Sequence, residues 1–234
     1  MAENPLVRVP KLWPMVNRSN QLRRNVVGKA RSFDIIEWDN TPYGPDTRQQ
    51  LTFYELNDLC PRDGWPTVLL IHGGGWAEGD RSHFNAIAPL FARRGIQAVS
   101  MNYRLSPENR WPAQVDDVVL ALEFLREQQI DRNRIALWGH SAGGHMALMA
   151  AIRKPDWIKC VVTVGAPTAL DRCVVDTIPS TFAESDLHNA SPAYRTEPLP
   201  PVLCVHGKLD RVVGIHHADM LAKQHPNVET LLVE

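Results

Sequence analysis

The chain has 234 residues, of which 44% are hydrophobic and 22% charged, and its formal net charge at pH 7 is −1. This length and apolar content suit one large globular domain, whereas the near balance of charge disfavours nucleic acid or an anionic membrane as the main partner. No apolar run approaches the ~20 residues that a membrane-spanning helix needs. The N-terminus lacks a basic-then-apolar signal pattern, so we expect a soluble, cytoplasmic protein.

The first elements along the chain are a polar arm and a pair of strands. Residues 1–32 contain three prolines and little periodicity, and we interpret them as an N-terminal arm outside the domain. Residues 32–38 and 50–56 each have the composition of a strand, and the stretch between them is rich in Asp, Asn, Pro and Gly. This arrangement predicts an antiparallel pair at the edge of a sheet.

The rest of the chain alternates between strand and helix patterns. Strands are predicted at 67–72, 97–103, 134–139, 159–165, 201–206 and 228–234. Helices are predicted at about 82–94, 112–128, 142–153 and 213–224, and residues 166–199 are irregular. Such alternation predicts an α/β fold, a doubly wound and mostly parallel sheet with helices on both faces.

A serine stands at the turn between one predicted strand and the next helix, in the sequence Gly139-His140-Ser141-Ala142-Gly143. The glycines let the backbone turn sharply without Cβ clashes, and the hydroxyl is pushed clear of the sheet. In this context G-x-S-x-G is typical of a nucleophile elbow, which makes Ser141 the candidate nucleophile. The alternative, an N-cap serine, explains the serine but not the flanking glycines.

A second glycine-rich motif, His72-Gly73-Gly74-Gly75-Trp76, follows the predicted strand 67–72. Successive glycines leave backbone N–H groups bare, so that a reacting carbonyl oxygen can approach them. The N–H groups of Gly74, Gly75 and Ala142 are therefore the candidate oxyanion hole. A flexible glycine-rich turn is the alternative, and the order of strand, loop and elbow disfavours it.

Together these motifs resemble the α/β-hydrolase superfamily, on the side of the small esterases related to the hormone-sensitive-lipase group and the kynurenine formamidases. The resemblance covers about residues 33–234, which we take as the hydrolase domain. Two further segments carry it, Asn102–Glu108 with Trp111–Ala113 and Val115–Asp117, and Pro200–Gly207 with Asp210. It implies that the irregular stretch 166–199 is a small cap insertion, and that a long connection at this place is functional.

The resemblance also implies the acidic member of a Ser–Asp–His triad. Asp210 follows the predicted strand 201–206, at the same sheet edge as Ser141, and would orient a histidine and stabilise its imidazolium. A turn aspartate that caps the next helix is the alternative. Asp116 and Asp117 are rival carboxylates, but they fall within a predicted helix.

The triad histidine is expected in a loop after the last strand, and the sequence ends with that strand. Among the nine histidines, His72 is expected to brace the oxyanion loop, His145 to pack in the core and His206 to be structural. His216 and His217 are weak candidates for the base. We therefore expect a chain truncated before the final loop and helix, nearly inactive as it stands, with bared apolar surface and a tendency to self-associate.

Three functions remain open at this point. The first is a serine carboxylesterase that cleaves esters of small acyl groups through an acyl-serine intermediate. The second is an arylformamidase-type amide hydrolase, disfavoured because that group carries an aromatic residue where Gly75 stands. The third is a non-catalytic hydrolase-fold binding protein, since the histidine is missing. A small-molecule ester is the expected partner, and no H-E-x-x-H or clustered His/Asp spacing points to a metal or cofactor.

Overall fold

The computed structural model describes residues 35–58 and 60–234, so the predicted arm 1–32 lies outside the described residues. Eight strands form one sheet in these residues. They are β1 (Ile35–Pro42), β2 (Gln50–Leu56), β3 (Trp65–Ile71), β4 (Gln97–Met101), β5 (Ile130–His140), β6 (Cys160–Val164), β7 (Val202–Gly207) and β8 (Val228–Val233).

The order of strands in the sheet is β1-β2-β4-β3-β5-β6-β7-β8. The first two strands pair antiparallel with each other, β2 pairs antiparallel with β4, and all later neighbours are parallel. The predicted mostly parallel sheet with an antiparallel edge pair is therefore confirmed. Because parallel strands share a direction, the carboxyl ends of β3, β5, β6 and β7 meet at one edge, where such folds bind ligands.

Five α-helices accompany these strands in the described part of the chain. They are α1 (Ala88–Ala92), α2 (Ala113–Arg126), α3 (Ala142–Arg153), α4 (Ile178–Thr181) and α5 (His216–Gln224). The predicted helix 82–94 is wrong in extent, since residues 81–84 form a 3-10 turn and only five residues are α-helical. Pro89 lacks an N–H and is tolerated only in a first helical turn, so it sets where α1 can begin.

The two faces of the sheet are covered unequally in the described residues. Helices α2, α3 and α5 contribute to the larger core on one face, with Leu122, Leu148 and Leu221 fully buried. On the other face α1 packs on β2, β3 and β4 in a smaller cluster. Beyond that cluster, the last strand leaves Leu231 50% exposed and Val233 42% exposed. The expected apolar surface at β8 is therefore present.

Candidate active site

Ser141 occupies a strained backbone position between β5 and α3. Its dihedral angles are φ 52° and ψ −122°, a region that residues with a Cβ rarely adopt. Gly139 and Gly143 permit this turn: a Cβ on Gly139 would lie 2.3 Å from the carbonyl oxygen of Gly143, and a Cβ on Gly143 would lie 2.0 Å from that of Ile71. The half-buried hydroxyl of Ser141 has no hydrogen-bond partner among the described residues.

The glycine-rich loop after β3 lies directly against this serine. A Cβ on Gly73 would stand 3.1 Å from the Cβ of Ser141. Gly74 and Gly75 have φ 115° and 54°, and the Gly74 carbonyl accepts hydrogen bonds from Ala77 and Glu78, both at 3.0 Å. Within the described ranges, the N–H groups of Gly74, Gly75 and Ala142 have no acceptor. The structure thus places the loop that carries two of the predicted donors against the predicted nucleophile.

His72 braces the start of this loop. Its Nδ1 lies 2.7 Å from the carbonyl oxygen of Gly73, and its ring stacks on Tyr103 with 4.3 Å between centroids. The Tyr103 hydroxyl in turn donates to the His72 carbonyl at 3.0 Å. Burial of the ring lowers the pKa of His72 to about 4, so the imidazole is neutral at pH 7.

Trp76 ends the loop and connects it to two other elements. Its indole N–H donates to Nδ1 of His145 at 3.2 Å, and Nε2 of His145 lies 2.7 Å from the carbonyl oxygen of Ala190. Since His145 stands in the first turn of α3 and Ala190 in segment 166–199, one imidazole joins the elbow helix, the loop and that segment. His145 was expected to pack in the core. It is fully buried, but the hydrogen bonds at both of its nitrogens were not foreseen.

Asp210 lies in the turn after β7, with its carboxylate divided between two surroundings. Oδ1 accepts from the backbone N–H groups of Val212 and Val213, each at 2.9 Å. Oδ2 lies 3.2 Å from the position of a Cβ on Gly165, the residue that follows β6. The capping role and the orienting role are therefore compatible, because one oxygen fixes the turn and the other faces the sheet edge.

His206 and His217, the buried histidines near Asp210 in the sequence, are hydrogen-bonded to other groups. His206 Nε2 is 3.9 Å from Oδ2 of Asp210 but only 2.6 Å from the carbonyl oxygen of Val213. His217 is buried, and its Nδ1 accepts from the N–H groups of Thr168 and Ala169 at 3.2 and 3.3 Å. Within the described ranges, no histidine nitrogen is hydrogen-bonded to Ser141 or to Oδ2 of Asp210.

The rival carboxylates lie on α2 and bind other partners. Asp117 is fully buried and accepts from Arg104, with the shortest distance 2.6 Å, and from the Gln49 amide at 2.7 Å. Asp116 pairs with Arg153 at 2.5 Å. These contacts assign both residues to holding α2 in place. In residues 35–58 and 60–234 no three His, Cys, Asp or Glu side chains are grouped to hold a metal ion, and no helix is long and apolar enough to cross a membrane.

Comparison with known proteins identifies relatives among esterases. Esterase LipC of Mycobacterium tuberculosis is 28% identical over 239 residues, which cover 88% of this chain and 58% of LipC. Carboxylesterase NlhH of the same organism is 41% identical over 96 residues, 38% of this chain and 30% of NlhH. The chain thus spans less than two thirds of the length of these relatives.

Among solved structures, inhibited esterase B of Lactobacillus rhamnosis superposes with a TM-score of 0.73 at 20% identity. The match covers 94% of this chain and 82% of esterase B, and it shows a common fold. The BD-FAE family model matches residues 60–191, more than half of the chain. That stretch contains the glycine-rich loop, the elbow and most of segment 166–199. The chain therefore belongs to the BD-FAE family, within the α/β-hydrolase superfamily.

Proposed function

We propose that this protein is a serine carboxylesterase that cleaves esters of small acyl groups. The observation that carries the proposal is the strained position of Ser141, whose hydroxyl stands beside N–H groups that have no acceptor in the described residues. Strain of this kind persists only where its surroundings enforce it, and it clusters at active sites. The relatives named as esterases support the same activity.

In the proposed reaction, Ser141 Oγ attacks the ester carbonyl carbon as its proton passes to a base. The carbonyl oxygen becomes an oxyanion, which the N–H groups of Gly74, Gly75 and Ala142 stabilise, together with the partial positive charge at the start of α3. Collapse of this intermediate expels the alcohol, which takes the proton, and leaves an acyl-serine. Water then attacks the acyl group in the same way and releases the acid.

Asp210 is proposed to orient the base. Its Oδ1 is held by two backbone N–H groups, so Oδ2 is presented in a fixed direction. No described histidine is hydrogen-bonded to Ser141 or to Oδ2 of Asp210, so the proposal does not assign the base to any of them. Losing the base of a serine triad costs on the order of 10⁶-fold in kcat. A protein without that base is then expected to hydrolyse esters only marginally.

A formamidase activity is less favoured for a steric reason. A Cβ on Gly75 would lie 2.7 Å from Thr177 Oγ1 and 3.4 Å from a methyl of Val175. Since φ of Gly75 is 54°, any side chain there would also strain the backbone. Segment 166–199 thus occupies the space that an aromatic side chain at residue 75 would need. We propose that this segment acts as the cap over the site and narrows it toward small acyl groups.

The experiment that tests the function compares the native protein with its Ser141→Ala variant. Hydrolysis of an aryl acetate and of an aryl formamide is measured, and a fluorophosphonate is used to label the nucleophile. We expect the native protein to prefer the acetate and to be labelled on Ser141, and Ser141→Ala to be inactive. Activity retained by Ser141→Ala would overturn the proposal. Absence of labelling in the native protein would favour the non-catalytic alternative.

Two further expectations stay proposals. A cytoplasmic location rests on the sequence pattern of the N-terminus alone. Self-association is supported by the exposed Leu231, Leu232 and Val233 on the final strand, because an open, apolar edge strand is a site for pairing between chains. Sedimentation of the 234-residue chain at several concentrations would test it, and a monomer at all concentrations would contradict it.

A further inference from the structure

The backbone of Trp76 is held in an unfavourable conformation from two sides. Its φ is 62°, in the left-handed region that a residue with a bulky side chain rarely enters. Its carbonyl oxygen accepts from the N–H of Ser106 at 3.0 Å, and its fully buried indole donates to His145 at 3.2 Å. Because Trp76 directly follows Gly75, holding Trp76 in place restricts the positions that the backbone of Gly74 and Gly75 can take.

The partners of His145 determine which of its nitrogens carries the proton. An indole N–H can only donate, so Nδ1 must accept and is unprotonated. A carbonyl oxygen can only accept, so Nε2 must carry the hydrogen that bonds to Ala190. His145 is therefore the neutral Nε2–H tautomer. Burial, which lowers its pKa to about 4, is consistent with a neutral ring.

We propose that His145 is a positioning residue, which in its Nε2–H form holds Trp76 and thereby aims the oxyanion N–H groups of Gly74 and Gly75 at the carbonyl carried by Ser141. The inference rests on the proposed esterase function and adds to it a residue that positions the oxyanion donors. His145 touches no reacting atom. It acts through one side-chain hydrogen bond on the loop and a second on segment 166–199, which it ties to the elbow helix.

This role predicts that the Trp76–His145 bond matters more to the reaction rate than to substrate binding. A small misplacement of the oxyanion donors weakens their contact with the transition state, and such changes cost about 10- to 100-fold in rate. Trp111 offers a matched control. The ring of Trp111 also lies against His145, at 5.5 Å between centroids. The indole N–H that donates to His145, however, is that of Trp76.

The test measures kcat and KM for an aryl acetate in the native protein and in five variants. Trp76→Phe and His145→Leu are expected to lower kcat about 10- to 100-fold with KM nearly unchanged, and the double variant to lose little more than either single one. The kcat of Trp111→Phe is expected to stay within about threefold of the wild-type value, since this change alters a ring contact of His145 but leaves the Trp76–His145 hydrogen bond in place. His145→Gln, which keeps one acceptor and one donor, is expected to recover part of the loss.

A second measurement needs no variant. Nitrogen-15 NMR of the histidine rings at pH 7 should show His145 protonated at Nε2 and unprotonated at Nδ1. The opposite tautomer would overturn the inference, and so would wild-type kcat in a folded Trp76→Phe variant or a loss in Trp111→Phe as large as in Trp76→Phe. Failure of the esterase proposal gives a different pattern, because Ser141→Ala would then retain activity whatever the state of His145.

Discussion

Lowering the pH from 7 toward 4 is expected to destabilise the folded chain through three buried imidazoles. Burial lowers the pKa of His72, His145 and His217 to about 4, from an ordinary value of 6.5. All three side chains lie in residues that are at most 1% exposed. Two of them also use an unprotonated nitrogen as an acceptor, His145 from Trp76 and His217 from the backbone of Thr168 and Ala169, so protonation would remove these hydrogen bonds.

The direction of this change in stability follows from the number of protons bound by the folded and unfolded chains. Between pH 6.5 and 4 the unfolded chain binds protons on these rings while the folded chain does not, so the free energy of unfolding falls as the pH falls. The stability that depends on these neutral rings is fully present above pH 6.5 and is lost as the pH falls toward 4. One pKa unit corresponds to about 1.4 kcal/mol, so each ring contributes up to about 3 kcal/mol. Three rings together approach the whole stability of a typical domain, about 5–15 kcal/mol.

Urea unfolding of the 234-residue chain at half-unit steps from pH 7 to 5 measures this loss. Near pH 5 the slope should approach about 1.4 kcal/mol per pH unit for each ring. His217→Gln should lower this slope by the contribution of one ring, about 1.4 kcal/mol per pH unit. His188→Gln, at an exposed position, should leave the slope unchanged. A free energy of unfolding that stays constant from pH 6.5 to 5 would refute the reasoning, because the rings would then be protonated equally in both states.

Three substitutions test other parts of the structure. Gly143→Ala places a Cβ 2.0 Å from the Ile71 carbonyl oxygen and should lower the free energy of unfolding by about 2 kcal/mol or more, measured in urea. Gly207→Ala is the control, because its Cβ would have its nearest contact at 3.8 Å. Equal losses in the two variants would contradict the steric argument. Asp117→Ala leaves the Arg104 guanidinium without its partner and should cost about 3–5 kcal/mol by the same measurement; a loss below about 1 kcal/mol would show that the pair is not needed. Gly75→Phe should lower both the melting temperature and aryl acetate hydrolysis, and unchanged values for both would mean that segment 166–199 yields to the ring.

The fold was predictable where local pattern and tertiary structure agree. The alternation of strand and helix patterns predicted the ends of α2 and α3 to within two residues, and the elbow needs only the spacing of Gly139, Ser141 and Gly143. The helix predicted over 82–94 was wrong in extent, because Pro89 is tolerated only in a first helical turn and the α-helix is limited to Ala88–Ala92. The strand predicted to end at Trp38 continues to Pro42 through an irregularity in its pairing with β2, where Asn40 has a positive φ of 55°.

The proposed backbone donors of the candidate site could be named from the sequence, but the side chains that hold them in place could not. Gly74, Gly75 and Ala142 come from two short motifs, whereas the Trp76–His145–Ala190 connection joins residues 69 and 45 positions apart. Such contacts depend on how loops fold over the sheet edge, which periodicity does not encode. The available signal was a histidine one turn after Ser141 on a helix that is otherwise apolar, a polar group that burial would oblige to find partners.

The acceptor that segment 166–199 offers to His145 is a main-chain carbonyl, that of Ala190. Every residue type supplies the same oxygen, so this anchor places almost no demand on the side chains around it. Segments of different composition could therefore occupy this place, provided that each offers a backbone carbonyl oxygen to Nε2 of His145. If the proposed esterase function holds, the backbone that must stay fixed for the reaction is thus separate from the segment whose side chains can vary.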